Sequence, residues 1–213
     1  MTQPYLYSKN DHRVWQADGR SFDPWCWRWV GSSEEIPGCA EPVSAAKALL
    51  HLKNASGLRM LPVGVIGPRD ATPNQMELAE AVGGLVARHG LAMICGGKTG
   101  VMAAAAAGAR AENGITIGML PDTDWRAAND DITLPLATGL LEARNIIIAR
   151  SSLALIAVGG SSGTLTEMAY AVHFDKLLVV MGDAPVIEGS VRCETPEQAF
   201  DLVAQYLLEL GEV

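Results

Sequence analysis

Apolar residues alternate between two spacings from Leu61 onward, one typical of buried strands and one typical of amphipathic helices. Short apolar runs without charges indicate strands buried on both faces, and apolar residues three or four apart indicate helices between them. Strands are predicted at 61–67, 91–95, 115–120, 132–136, 153–158 and 176–181, and helices at 73–89, 102–111, 139–150, 164–172 and 196–210. Repeated strand–helix units imply an α/β fold with a doubly wound, mostly parallel sheet and helices on both faces.

The N-terminal segment has a different composition, because it contains four of the five tryptophans. Asp18 and Gly19 lie between two short segments and predict a β-hairpin. Three tryptophans then alternate with other residues, a period that predicts a strand with one aromatic face: Trp25, Trp27 and Trp29. A ligand cage built from these rings is the alternative to simple packing.

A loop is predicted at 31–42 and a short helix at 44–53. We therefore expect two domains. Residues 1–60 form a small Trp-rich appendage of hairpin and helix that packs on the main domain or on a partner subunit, and residues 61–213 form the α/β domain.

The stretch from Leu153 to Val172 reads as buried strand, glycine-rich turn and helix. Its turn contains six residues: Gly159, Gly160, Ser161, Ser162, Gly163 and Thr164. This layout points free backbone N–H groups and the positive end of a helix dipole at one place, and glycines let a phosphate approach closely. The turn is therefore our main candidate for a phosphate site.

A second glycine-rich turn follows the strand at 91–95, and Gly67 ends the first strand. The second turn contains five candidate ligand-binding residues: Gly96, Gly97, Lys98, Thr99 and Gly100. Lys98 is interpreted either as neutralising a phosphate or as a surface lysine. Because ligands of parallel sheets bind at the carboxyl ends of the strands, the two turns together predict a Rossmann-like nucleotide-binding domain.

Charge and composition narrow the class of function. A net charge of −8 argues against a surface for nucleic acid or anionic membranes. The four cysteines show no C-x-x-C spacing, so we expect reduced thiols in a cytoplasmic protein and no metal site. No apolar run is long enough to predict a membrane span or a secretion signal.

The turn after the central strand lacks the Gly-Lys-Ser/Thr of a Walker A loop and the G-x-G-x-x-G of a dinucleotide fingerprint. With Glu167 it reads GGxxGTxxE, which resembles the PGGxGTxxE motif of the Lonely guy (LOG) family of nucleoside-monophosphate phosphoribohydrolases, often mislabelled lysine decarboxylases. CGGKTGVM at 95–102 resembles the first phosphate-side loop of that family. Asn145 replaces a lysine, Leu141 and Glu142 replace a Met-His pair, and these departures resemble the branch with the molybdenum-cofactor carrier proteins.

The resemblance implies that Arg144 and Glu167 occupy the positions of the catalytic arginine and glutamate. Each has a plainer interpretation. Thr164 and Glu167 have the spacing of a capping box, and Arg144 fits a solvated helix position or an ion pair with Glu142 or Glu167. No lysine lies in a pyridoxal-phosphate setting, so the resemblance does not imply a lysine decarboxylase.

Two functions follow. The first is binding of a phosphorylated, nucleotide-like ligand on the two loops, with an AMP-like nucleotide or the molybdenum cofactor as cargo and no cofactor required. The alternative is a LOG-type hydrolase that releases base and ribose 5-phosphate from nucleoside 5′-monophosphates. Binding of single-stranded DNA, as in a remote relative, conflicts with the acidic charge. The resemblance also implies a homodimer or homotetramer.

Overall fold

The computed structural model describes residues 5–31, 34–55 and 57–212, and these divide into two compact units. The second unit runs from Leu61 to Phe200, and the first combines the described residues up to Met60 with those from Asp201 onward. The sequence-based division instead assigned everything after residue 60 to the α/β domain, and its appendage includes residues 1–4, 32, 33 and 56, which lie outside the described residues.

The first unit is an antiparallel sheet of five short strands in the order β4-β3-β2-β1-β5, together with one helix. The elements are β1 (Tyr5–Ser8), β2 (Arg13–Trp15), β3 (Arg20–Asp23), β4 (Arg28–Gly31), β5 (Glu41–Val43) and α1 (Ala45–Asn54). The predicted hairpin at Gly19 is confirmed by the pairing of β2 with β3 and by the positive φ of +89° at this glycine. The Ser44 side chain caps the predicted helix by accepting from the N–H of Lys47.

The predicted strand with three aligned tryptophans is wrong for two of them. Trp25 and Trp27 lie in the turn between β3 and β4, and only Trp29 lies in a strand. The carboxylate of Asp23 accepts the backbone N–H groups of Trp25 and Cys26 at 2.9 Å each, and Trp27 has a φ of +52°. An aspartate that bonds the backbone two and three residues later favours a turn over an extended strand.

Residues from Asp201 onward belong to the first unit through specific hydrogen bonds. The indole Nε1 of Trp29 donates to the carbonyl oxygen of Leu208 at 3.0 Å. The guanidinium of Arg20 lies 2.9 Å from the carboxylate of Glu212. The sequence contains no pattern that predicts these long-range pairs.

The second unit contains a seven-stranded, fully parallel sheet in the order β12-β11-β10-β6-β7-β8-β9. Its strands are β6 (Pro62–Ile66), β7 (Ala92–Cys95), β8 (Thr116–Leu120), β9 (Leu134–Ala137), β10 (Ala154–Val158), β11 (Leu177–Met181) and β12 (Ser190–Arg192). Its helices are α2 (Pro73–Arg88), α3 (Val101–Ala111), α4 (Arg144–Ser151), α5 (Ser162–His173) and α6 (Pro196–Glu209), of which α6 continues into the first unit. The predicted α/β class, with helices on both faces and a small N-terminal β unit, is confirmed.

The centre of the sheet is buried as the apolar runs predicted. All five residues of β10 are buried, and Leu155 belongs to a core cluster that includes Ile66 of the adjacent β6, Ile94 of β7 and Met168 of α5. The alanines of α3 let this helix approach α2 so closely that a Cβ on Gly83 or Gly108 would collide with the carbonyl oxygen of the facing helix. The described part of the chain contains no helix that combines the length and apolar character needed to cross a bilayer.

The predicted helix at 139–150 begins later than its apolar pattern suggested. Gly139 and Leu141 have positive φ angles of +65° and +48°, and a short 3₁₀ turn at Leu141–Ala143 precedes α4. The chain therefore bends sharply before Arg144, which places residues 141 and 142 on a loop. β12, at the edge of the sheet, has too few residues for its pattern to predict it.

Candidate functional site

A cavity of about 500 Å³ opens at the carboxyl ends of β6 and β10. This is the edge of the sheet at which ligands of parallel α/β proteins bind, and the volume suits a small ligand. Eight residues that the sequence singled out line it: Gly67, Arg144, Gly160, Ser161, Ser162, Gly163, Thr164 and Glu167. The remaining lining residues are Pro68, Arg69, Asp70, Met102, Pro121, Leu141, Glu142 and Asn145.

The first turn of α5 forms one wall of the cavity. Ser161 is the N-cap, and its side chain accepts from the backbone N–H of Thr164 at 3.2 Å and lies 2.9 Å from the Thr164 hydroxyl. The N–H groups of Ser162 and Gly163 precede the first intrahelical bond and have no partner among the described residues. Two backbone donors and the positive end of the α5 dipole therefore meet at this wall, which favours an anion there.

The interpretation of Thr164 and Glu167 as a capping box is wrong. The helix begins one turn earlier than that pattern requires, because Ser161 rather than Thr164 is the cap. Glu167 lies within α5 and its carboxylate bonds a side chain on another helix instead of the backbone.

That partner is Arg144, the first residue of α4. Its Nη1 donates to Oε1 of Glu167 at 2.9 Å, and the two residues are only 7% and 6% exposed. The interpretation of Arg144 as a solvated arginine is therefore wrong, and of its two candidate partners the structure selects Glu167. Burial raises the pKa of Glu167 to about 7, against the opposing effect of Arg144. The Nε of Arg144 is buried and has no hydrogen-bond partner in the described structure.

Asn145 connects α4 to the start of α5. Its side-chain Nδ2 donates to the Thr166 hydroxyl at 2.8 Å and to the carbonyl oxygen of Gly163 at 3.3 Å. The residue is 5% exposed and lines the cavity. Asn145 thus fixes the carbonyl side of Gly163 while the N–H side remains free. The sequence marked this position only as a departure from the family motif.

The second glycine-rich turn, at 96–100, does not line the cavity. A Cβ on Gly96 would lie 2.6 Å from Nη1 of Arg144, so this glycine makes room for the guanidinium. The N–H of Gly97, which has a φ of +69°, donates to the sulfur of buried Cys95 at 3.3 Å. Gly96 and Gly97 are therefore packed against protein groups.

The other three residues of the turn at 96–100 also contact protein groups. The ammonium of Lys98 lies 2.9 Å from both the Asp122 carboxylate and the Ala127 carbonyl oxygen, and it lowers the pKa of Asp122. The Thr99 hydroxyl donates to the Arg69 carbonyl oxygen at 3.4 Å. Gly100 has a φ of +67°, and the N–H of Val101 at the start of α3 donates to the Pro68 carbonyl oxygen at 3.1 Å.

Gly67 and Gly159 shape the loops beside the cavity. A Cβ on Gly67 would collide with the carbonyl oxygen of Val158, so this glycine lets the loop after β6 pass the end of β10. Gly159 has a φ of +68° and lies against Gln75 and Asp183, away from the cavity lining. Of the two, Gly67 alone contributes to the cavity wall.

From the loop after β6, the sequence indicated only Gly67 as a candidate site residue. Arg69 and Asp70, two charged residues directly after a strand end, were the available indication that this loop lines the cavity. Leu141 and Glu142 reach the rim because the chain bends before α4, which an apolar helical pattern conceals.

These features define a class of protein, namely a Rossmann-like α/β domain with a ligand-sized cavity at the carboxyl ends of its parallel strands. The chain belongs to the SLOG cluster4 family, whose model matches residues 60–205. The resemblance to the LOG superfamily, in the branch near the molybdenum-cofactor carriers, is confirmed by this match and by the similar proteins that follow.

An uncharacterized protein of Archaeoglobus fulgidus is 39% identical over 142 residues, which cover 67% of this chain and 93% of the relative. The molybdenum cofactor binding protein of the phototrophic bacterium Rippkaea orientalis has a similar structure, with a TM-score of 0.66 and 31% identity over 70% of this chain and 98% of that one. The cytokinin riboside 5′-monophosphate phosphoribohydrolase of Mycobacterium marinum is 30% identical over 118 residues, covering 51% of this chain and 63% of the enzyme.

Proposed function

We propose that this protein binds a phosphorylated, nucleotide-like ligand in the cavity, as a carrier of the molybdenum-cofactor type. The observation that carries the proposal is the open start of α5, where the N–H groups of Ser162 and Gly163 face a cavity of about 500 Å³. A phosphate monoester is the chemical group that this arrangement fits best. The structural similarity to a molybdenum cofactor binding protein supports the same ligand class.

The phosphate binds at residues 160–164, and the heterocycle occupies the rest of the cavity. Met102 and Pro121 supply apolar surface there, and Asp70 and Glu142 supply hydrogen-bond acceptors for amino or hydroxyl groups. A nucleoside monophosphate and a molybdopterin-type cofactor share these features. Either would be cargo or substrate rather than a resident cofactor.

The alternative function is hydrolysis of nucleoside 5′-monophosphates, and the intact Arg144–Glu167 pair favours it. Glu167, with a pKa raised to about 7, is suited to accept a proton from water at neutral pH. The water oxygen would bond to C1′ as the C1′–N bond breaks, the carboxylate would stabilise the positively charged sugar, and the proton would pass to the departing base. Arg144 would orient the substrate.

Incubation with a panel of nucleoside monophosphates, followed by chromatography, separates these functions. The carrier proposal predicts binding by calorimetry without release of free base, and mass spectrometry of the heat-released ligand then identifies the cargo. Release of base and ribose 5-phosphate, lost in Arg144→Ala, establishes the hydrolase instead. A wild-type protein that neither binds nor cleaves a phosphorylated nucleotide or pterin contradicts both.

Three further expectations remain predictions: cytoplasmic location, no binding of nucleic acid, and a homodimer or homotetramer. Light scattering at micromolar concentration checks the last, and a monomer would contradict it. A filter-binding assay with single-stranded DNA checks the second, which rests on the net charge of −8.

A further inference from the structure

Some charged residues that line the cavity are paired with other side chains of the described structure and some are not. Two guanidinium groups, Arg69 and Arg144, and three carboxyl groups line the cavity: Asp70, Glu142 and Glu167. Arg144 is buried and its Nη1 donates to Glu167 at 2.9 Å, so its guanidinium is already engaged by a protein group. The lysine nearest in sequence to the cavity loops, Lys98, is bound to Asp122 and does not line the cavity.

Contacts fix the backbone of Arg69, whereas its side chain is exposed. Its carbonyl oxygen accepts from the Thr99 hydroxyl, and the close approach of Gly100 to the same carbonyl fixes the loop. Its exposed side chain makes no hydrogen bond or ion pair with the residues that the structure describes. Its charge acts at longer range, because Lys98 and, to a smaller extent, Arg69 lower the pKa of Asp122. The loop passes the end of β10 at Gly67, directly before the turn that starts α5, so Arg69 extends from a fixed base beside the anion wall.

We propose that Arg69 supplies the positive charge that binds the phosphate of the ligand, and that it makes the cavity selective for dianionic phosphate monoesters over their uncharged nucleosides. This inference rests on the proposed function and assigns the charge within that site. An arginine presents two parallel N–H donors to phosphate oxygens, and the α5 N-terminus supplies the opposing backbone donors.

The two rim carboxylates act in the opposite direction. Asp70 and Glu142 are exposed carboxylates that line the cavity, and their negative charge disfavours an anionic ligand. Glu142 is exposed and lines the cavity, so its neutralisation strengthens the binding of any anion there. Arg69 and Glu142 therefore give opposite effects on the affinity for AMP, which a purely structural role for either residue does not predict.

The test compares AMP with adenosine by calorimetric titration of four proteins: wild type, Arg69→Gln, Glu142→Gln and the control Arg110→Ala. Arg110 has the same charge but lies in the last turn of α3, far from its cavity-lining residue Met102. Arg69→Gln is expected to weaken AMP binding by about 10- to 100-fold, the range of a charge-assisted hydrogen bond, and to leave adenosine within about 2-fold. Glu142→Gln is expected to tighten AMP binding by about 2- to 5-fold.

The outcomes separate this inference from the function on which it rests. If wild type binds AMP and Arg69→Gln behaves like Arg110→Ala, the role of Arg69 is overturned while ligand binding stands. Equal losses for AMP and adenosine also overturn it, because the effect is then not on the phosphate. If wild type binds no phosphorylated ligand, the proposed function fails first. Urea unfolding of each variant checks that the fold is retained, and if wild type cleaves AMP the same comparison is made on kcat/KM.

Discussion

The two glycine-rich turns of this protein, at 96–100 and 159–164, follow β7 and β10, the strands on either side of β6 in the parallel sheet. Each turn precedes a helix, yet the two helix starts differ in which groups their N–H donors bind. At α3 the N–H of Val101 donates to the carbonyl oxygen of Pro68. At α5 the N–H groups of Ser162 and Gly163 have no partner in the described structure, and both residues line the cavity.

The difference shows that glycine serves two purposes at strand ends. In the turn at 96–100 a Cβ would collide with protein atoms, at Gly96 with Arg144 and at Gly100 with two backbone carbonyl oxygens. At Gly163 a Cβ would meet only ordinary contacts, the nearest 3.8 Å away at Ser161. Glycines in the turn at 96–100 permit the chain to pack on itself, whereas Gly163 leaves open space in the cavity wall.

The largest effect is expected on stability at Gly100. Gly100→Ala forces a Cβ onto a backbone with a φ of +67° and into the carbonyl oxygens of Pro68 and Arg69. We expect a loss of about 2–4 kcal/mol in the free energy of unfolding, measured with urea. The matched variant Gly163→Ala is expected to gain about 0.5 kcal/mol, because alanine restricts the unfolded chain without strain. Similar changes at both positions would contradict the difference between the turns.

The next effect concerns the pH dependence of the Arg144–Glu167 pair. The pKa of Glu167 is raised from its ordinary 4.5 to about 7 in the folded protein. Below pH 4.5 this carboxyl group is protonated in both the folded and the unfolded chain, and the protein loses stability as pH rises from 4.5 towards 7, because the unfolded chain then releases the proton more readily. The difference in unfolding free energy between wild type and Glu167→Gln is expected to fall by an amount on the order of 3 kcal/mol across this window. A difference that is constant with pH would show that the carboxylate is not buried as described.

The smallest effect is expected for Lys98→Ala. The ammonium of Lys98 connects the turn at 96–100 to the loop at 121–129 through Asp122 and Ala127, at a partly exposed position. Partly exposed ion pairs contribute little, so we expect Tm to fall by less than about 3 °C and AMP affinity to stay within about 3-fold. A loss of AMP affinity as large as that of a cavity variant would show that Lys98 takes part in ligand binding.

Much of the fold follows from the sequence because local patterns determine it. Buried strands such as β10 are uninterrupted apolar runs, and helix starts such as Thr72-Pro73 carry their own caps, here a capping box with Gln75. The tryptophans show the limit of this reasoning. Alternation at 25–29 predicted a strand, but hydrogen bonds from the backbone to Asp23 form a turn there.

The candidate site was predictable in part for a related reason. The turn before α5 is local, whereas the partner of Arg144 and the engagement of Lys98 depend on contacts between residues 23 and 24 positions apart. The sequence contains no reason to select Arg69, because its proposed role depends on Arg144 being engaged by Glu167 of another helix. Sequence spacing indicates which loops meet at a sheet edge, and tertiary contacts determine which of their groups remain free.

The most direct test of the central claim, that a ligand phosphate binds at the start of α5, is calorimetric titration of AMP into Gly163→Val and Lys98→Ala. A valine at 163 fits the backbone but fills the cavity wall beside the free N–H groups. The account predicts at least about a 100-fold loss of affinity in Gly163→Val, equivalent to two charge-assisted hydrogen bonds, and near wild-type binding in Lys98→Ala. Wild-type affinity in Gly163→Val, or a loss confined to Lys98→Ala, would contradict it.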